Sequence, residues 1–132
     1  MNVDMIELDV YVCLSGEIVV IHDDTIERTT NGTGYVKDLT WQKLKNYDAG
    51  KGERIPLLEE VFDLVNKRLR INIELKDPAA AQPVAELIKY YIGHKQWSAK
   101  QFLVSSSYPN ALRTFHSYCS QVETGIIFEE NF

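Results

Sequence analysis

Ile6-Glu7-Leu8-Asp9-Val10-Tyr11-Val12 runs through the turn Ser15-Gly16-Glu17 into Ile18-Val19-Val20-Ile21-His22-Asp23, and the architecture follows from this segment. In a strand, side chains alternate between faces. Ile6, Leu8, Val10 and Val12 therefore share one face, and Glu7, Asp9 and Tyr11 the other. The two carboxylates stand roughly 7 Å apart along the strand. At neutral pH such neighbours repel unless something positive lies between them. The face is either wet or a holder of a cation, and hard divalent cations take carboxylate oxygens. The continuous β-branched run Ile18 to Ile21 predicts a second strand, buried on both faces.

Downstream, residues 26–55 read mostly as loop. Thr29-Thr30-Asn31-Gly32-Thr33-Gly34 is turn chemistry, and residues 38–45 allow a short helix with Thr40 as N-cap. Pro56 fits a helix start, and Leu57, Leu58, Val61, Phe62, Leu64 and Val65 follow at helical spacing. Residues 70–76 predict a strand with Ile71, Ile73 and Leu75 on one face and Asn72, Glu74 and Lys76 on the other. A helix is expected over 83–92, with Val84, Leu87, Ile88 and Tyr91 on one side. Phe102-Leu103-Val104 reads as a strand entering Ser105-Ser106-Ser107. Residues 110–118 read as a helix and Gly125-Ile126-Ile127-Phe128 as a last strand. Strands alternating with helices predict an α/β fold of parallel strands joined by right-handed crossovers. Polar residues gather where strands end, which is where sites form in such folds.

The chain has 132 residues, one domain's worth. Its 45% hydrophobic and 25% charged residues are ordinary for a soluble globular protein. A formal charge of -5 argues against a general binder of nucleic acid or anionic membrane. No apolar run is long enough to span a bilayer, and the first residues lack the basic-then-apolar pattern of a signal peptide. Cys13 and Cys119 read as two reduced thiols, which fits a cytoplasmic chain.

If the strands are neighbours, three carboxylates, one histidine and one lysine converge. Glu7, Asp9 and Glu74 are then metal-ligand candidates, His22 an acid or base, and Lys76 an anion contact. Each residue also has a plainer reading. Glu7 and Asp9 suit a half-exposed strand, and Glu74 with Lys76 suits a surface ion pair worth little. His22 suits a hydrogen-bonded structural histidine. Asp23 either orients His22 or caps the next turn. His94 and His116 read as surface residues. Ser105 to Ser107 lack a nearby Asp-His pattern, so no serine nucleophile is read there.

In order and spacing, several of these segments closely resemble the glycerophosphodiester phosphodiesterase family. They are Ile6-Glu7-Leu8-Asp9-Val10; Gly16; Val20-Ile21-His22-Asp23; Arg28-Thr29-Thr30-Asn31-Gly32-Thr33-Gly34; Ile55-Pro56-Leu57-Leu58-Glu59-Glu60-Val61; Ile71-Asn72-Ile73-Glu74-Leu75-Lys76; and Val104-Ser105-Ser106 with Leu112. The resemblance implies a TIM-type (β/α) barrel, incomplete, with residues 1–132 forming a partial domain over about strands two to six. It also implies a divalent metal, Ca or Mg, and hydrolysis of small-molecule glycerophosphodiesters to glycerol 3-phosphate and an alcohol. Position by position, Glu7, Asp9 and Glu74 match the family's metal ligands. His22 matches the second of its two catalytic histidines, and Lys76 a lysine near the substrate phosphate. The first histidine belongs to a His-Arg-Gly motif that this sequence does not contain. The expectation is therefore an active intact protein and a weakly active or inactive 132-residue chain. Two other functions compete. One is a non-catalytic remnant or assembly module that binds a phosphodiester or a protein partner, self-associating through open sheet edges. The other is a phospholipase D-like activity on sphingomyelin or lysophospholipids. Residues 28–34 and Ile55-Pro56-Leu57 favour the glycerophosphodiester branch.

Overall fold

The computed structural model describes residues 4–128. Strand β1 (Met5–Val12) and strand β3 (Arg70–Leu75) alternate as their sequences require. In β3, Ile71, Ile73 and Leu75 are fully buried, while Arg70, Asn72 and Glu74 are half-buried. The two strands pair in parallel with Ile6 opposite Ile71, Glu7 opposite Asn72 and Asp9 opposite Glu74. Parallel register puts like with like: one face of the pair is apolar and the other carries the carboxylates. A slip of one residue would bury the carboxylates, so the pattern itself fixes the register. Strand β4 (Phe102–Ser106) adds beside β3, with Glu74 opposite Ser105. Strand β5 (Glu123–Ile126) adds beside β4, also in parallel.

Helices α2 (Leu58–Val65), α3 (Ala81–His94) and α4 (Pro109–Tyr118) cover the apolar face. Phe62 sits at the junction. Its ring centroid lies 5.0 Å from that of Tyr91, 5.3 Å from Phe102 and 5.5 Å from Trp97, so one side chain joins α2, α3 and β4. At the start of α2, Glu60 accepts the Leu57 N–H at 2.8 Å and pairs with Arg54. Asn66 ends the helix in the left-handed conformation (φ 47°), which asparagine tolerates better than most residues. Pro56 lies outside the helix it was expected to start. Its carbonyl accepts the Val20 N–H at 2.9 Å, which draws residues 56–57 to the edge of the sheet.

Strand β2 (Ile18–Val20) lies outside the parallel arrangement of the strands that alternate with helices. It pairs antiparallel with β1, Val10 opposite Val20, as the return arm of a hairpin. The sheet order is β2-β1-β3-β4-β5, and the parallel run is β1, β3, β4 and β5. The β-branched run is still buried on both sides. Ile18 and Val20 pack with the main core, and Val19 and Ile21 with a second one. That second core belongs to residues 26–55, where Ile26, Val36, Leu44 and Ile55 are buried together with Cys13. This loop lobe includes the short helix α1 (Trp41–Leu44), whose N-cap Thr40 accepts the Lys43 N–H as expected. Among the described residues, β2 and β5 are the sheet edges.

Candidate active site on the polar face of the sheet

The face of the sheet opposite the helices carries Glu7, Asp9 and Tyr11 from β1, and Asn72 and Glu74 from β3. Ser105 from β4 joins them across the register. At the lower level, Ser105 Oγ donates to Asn72 Oδ1 at 2.8 Å, and Asn72 Nδ2 donates to Glu7 Oε1 at 3.3 Å. These bonds tie three strands together and hold Glu7. One pleat higher, toward the strand ends, Asp9 and Glu74 are in register. Glu74 pairs with Lys76 at 3.3 Å, and Asp9 faces His22 Nε2 at 4.0 Å.

His22 leaves the end of the hairpin with 66% of its side chain exposed. Its Nδ1 lies 2.9 Å from Asp23 Oδ1. Asp23 in turn receives Arg28 as a fork, Nε to Oδ2 at 2.7 Å and Nη2 to Oδ1 at 3.0 Å. The bonds from Arg28 and then His22 hold the Asp23 carboxyl far below the usual carboxylate range. Beside them, burial first, then Asp24, Tyr108, Asp9 and Asp23, push the Tyr11 phenol up to about 12. A cleft of about 300 Å³ opens here, at the carboxyl ends of the strands. Tyr11, Asp24, Lys76, Asp77 and Tyr108 line it. A larger cleft of about 540 Å³, between Lys67, Arg70, Lys100 and Glu123, lies at the opposite ends of the strands and contains none of these groups.

All five residues singled out in the sequence lie on or beside this face. Asp9, Glu74, His22 and Lys76 come together, while Glu7 lies one pleat lower and is turned to Asn72. Among the described residues, no three His, Cys, Asp or Glu side chains converge closely enough to enclose an ion. Two of the carboxylates instead hold a hydrogen-donating or positive neighbour, Glu7 in Asn72 and Glu74 in Lys76, while Asp9 faces His22 Nε2 at 4.0 Å. The donor chemistry nonetheless fits a hard divalent cation, because all three are carboxylates on adjacent strands of one face. Sequence reading passed over Asn72, Ser105 and Arg28 as site residues. Asn72 had a usable signal, being two residues before Glu74 on the same strand face. Arg28 opens the matching segment 28–34, but a loop has no period to place its side chain beside Asp23.

Known proteins bear on the same question. The model of the glycerophosphoryl diester phosphodiesterase family matches residues 1–131. A glycerophosphodiester phosphodiesterase of Caldanaerobacter subterraneus subsp. tengcongensis is 38% identical over 140 residues, covering 98% of this chain and 56% of that protein. Among solved structures, a glycerophosphodiester phosphodiesterase from Agrobacterium tumefaciens superposes with a TM-score of 0.77 at 31% identity, over 92% of this chain and 53% of that one. An Oleispira antarctica phosphodiesterase, solved with the product sn-glycerol-3-phosphate, superposes with a TM-score of 0.79 at 25% identity, over 95% and 54%. The chain thus spans about half the length of the curated relatives it matches. Its open, mainly parallel sheet is an incomplete TIM-type (β/α) barrel.

Proposed function

Because the chain belongs to the glycerophosphoryl diester phosphodiesterase family, we propose that the protein containing it hydrolyses glycerophosphodiesters to glycerol 3-phosphate and an alcohol. The observation that carries this reading is the cluster at the strand ends. Asp9 and Glu74 stand in register with Lys76 and His22 as immediate neighbours, beside an open cleft. A phosphodiester is anionic and resists attack, so its site needs positive charge and a proton carrier. Glu7, Asp9 and Glu74 would hold a divalent ion, Ca or Mg. Such an ion, when bound, neutralises charge on the phosphoryl group and acidifies a hydroxyl. Lys76 places an ammonium beside Glu74 and at the wall of the cleft, positioned to receive a phosphoryl oxygen. His22 Nε2 faces Asp9 at 4.0 Å and carries or accepts the proton. The 132-residue chain by itself is expected to turn over weakly or not at all, because it supplies one such histidine where hydrolysis uses both an acid and a base. A cytoplasmic location belongs to the same reading and rests on the two free thiols, Cys13 and Cys119. Among the described residues, no helix is long and apolar enough to cross a membrane.

The test is release of glycerol 3-phosphate from glycerophosphocholine by the full-length protein, with Mg or Ca and after chelation. Metal-dependent turnover that Glu74→Ala abolishes is the expected result, along with loss of metal binding by calorimetry. Equal metal binding by Glu74→Ala would remove the acidic trio as the site.

One observation favours a second reading. β5 presents an unpaired edge among the described residues, with Ile126 partly exposed. Such an edge is a template for pairing with another chain. A non-catalytic assembly module would use it, and would sediment as a stable oligomer with no turnover under any metal. A monomer by sedimentation removes this reading.

A further inference from the structure

Residues 28–34 are a sequence motif to which the proposed reaction gives no task, and the structure joins one end of it to His22 through Asp23. We propose that Arg28 and Asp23 form a clamp that fixes the tautomer and direction of His22, making both of them positioning residues for proton transfer. This inference rests on the acid-base reading of His22 and adds to it.

An ionised carboxylate can only accept hydrogen bonds. Asp23 Oδ1 lies 2.9 Å from His22 Nδ1, so that nitrogen carries the hydrogen. The neutral imidazole is then the Nδ1–H tautomer, with its lone pair on Nε2, the atom that faces Asp9. His22 is 66% exposed, and the contact with Asp23 is the one hydrogen bond of its ring among the described residues, so Asp23 directs it. Asp23 can hold the ring only if it is held itself, and the Arg28 fork takes both of its oxygens. Oδ1 thereby accepts from the guanidinium and the imidazole together. Lysine cannot reproduce that fork.

Arg28 is delivered by a fastened turn. Ile26 is fully buried in the loop-lobe core. Its N–H donates to the Gly34 carbonyl at 3.1 Å, and its carbonyl accepts from Thr30 through both the backbone N–H (2.9 Å) and Oγ1 (2.8 Å). Thr25 and Tyr35 close the base as a bridge. The turn thus connects a buried anchor to an exposed guanidinium. Exposed ion pairs add little to stability, so a merely structural pair could be removed without consequence. A clamp could not, because misplacing a reacting group by about 1 Å can cost on the order of 10²-fold in rate.

The experiment uses full-length protein with glycerophosphocholine at saturating metal. It compares Arg28→Met, Arg28→Lys, Asp23→Ala and His22→Ala, with the ¹⁵N imidazole signals of His22 as an independent readout. Arg28→Met and Asp23→Ala should lower kcat roughly 10- to 10²-fold with KM nearly unchanged. Arg28→Lys should fall with Arg28→Met, showing that the fork and not the charge matters. In the wild type His22 should give the Nδ1–H pattern, and in Arg28→Met a mixture of both tautomers, with the melting temperature unmoved. Wild-type kcat in Arg28→Met and Asp23→Ala, alongside an inactive His22→Ala, overturns the clamp and leaves the proposed function standing. An active His22→Ala overturns the acid-base reading instead, and the clamp is then decided by the tautomer signals: an unchanged Nδ1–H pattern in Arg28→Met overturns it.

Discussion

Tyr11 shares a strand face with Glu7 and Asp9, and its surroundings make it an unusual phenol. Burial removes water from the phenolate, and Asp24, Tyr108, Asp9 and Asp23 add negative charge around it, so its pKa rises from 10.0 to about 12. The fold therefore favours the protonated form. The unfolded chain ionises first, near 10. The stabilising contribution is whole below that pH and is lost as pH rises through about 12. Denaturant midpoints measured between pH 9 and 12 should fall more steeply for the wild type than for Tyr11→Phe; parallel slopes would mean the phenol titrates alike in both states. What the sequence disclosed at this scale followed its periodicity. Alternation put Glu74 and Lys76 on one face, and they pair at 3.3 Å. The Asp23–Arg28 fork joins residues five apart in an irregular loop, where no spacing rule applies.

At the scale of elements, the helices and parallel strands were legible because burial imposes a period on them. Helix α3 buries Ala81, Val84, Ala85, Ile88 and Tyr91, a stripe at helical spacing. What covers β2 was not legible, although the short turn before it suits only an antiparallel hairpin. A β-branched run reports burial on both faces, and a lobe of loop can cover a strand as well as a helix can. The second core was hidden for a related reason. Ile26, Val36, Leu44 and Ile55 are too far apart in sequence to make any period, and only the chain's folding back assembles them. The turn over residues 28–34 is a part of this lobe that small changes should disturb. A Cβ built on Gly32 would lie 2.6 Å from the Tyr47 ring, closer than carbon atoms can approach. Gly32→Ala must therefore push the ring aside or shift the turn. An overpacked site of this kind typically costs about 1–3 kcal/mol. Chemical denaturation should register that loss, with a drop in kcat resembling that of Arg28→Met if the turn moves. Wild-type stability in Gly32→Ala would show that Tyr47 yields freely.

The whole molecule separates stability from chemistry by layer. Helices and their core lie on one face of the sheet, and the polar cluster lies on the other. Phe62 makes the first layer continuous, meeting Tyr91, Trp97 and Phe102 at once. Truncating a buried phenylalanine to alanine typically costs about 3–5 kcal/mol, against a total of about 5–15 kcal/mol for a folded domain. Glu74 is on the other layer, paired with Lys76 at 3.3 Å and away from the Phe62 core. The two substitutions should therefore fail in opposite ways. Phe62→Ala should lower the denaturation midpoint sharply, yet the fraction still folded should keep its turnover per folded molecule, because the Asp9–Glu74 register is set by backbone pairing and not by the Phe62 ring. Glu74→Ala should lower the midpoint far less than Phe62→Ala does and remove turnover. Measuring denaturation and glycerol 3-phosphate release on both variants of the full-length protein checks the separation. A Phe62→Ala protein that stays folded but inactive would mean the aromatic layer holds the carboxylates in place across the sheet, and the two faces would then act as one unit.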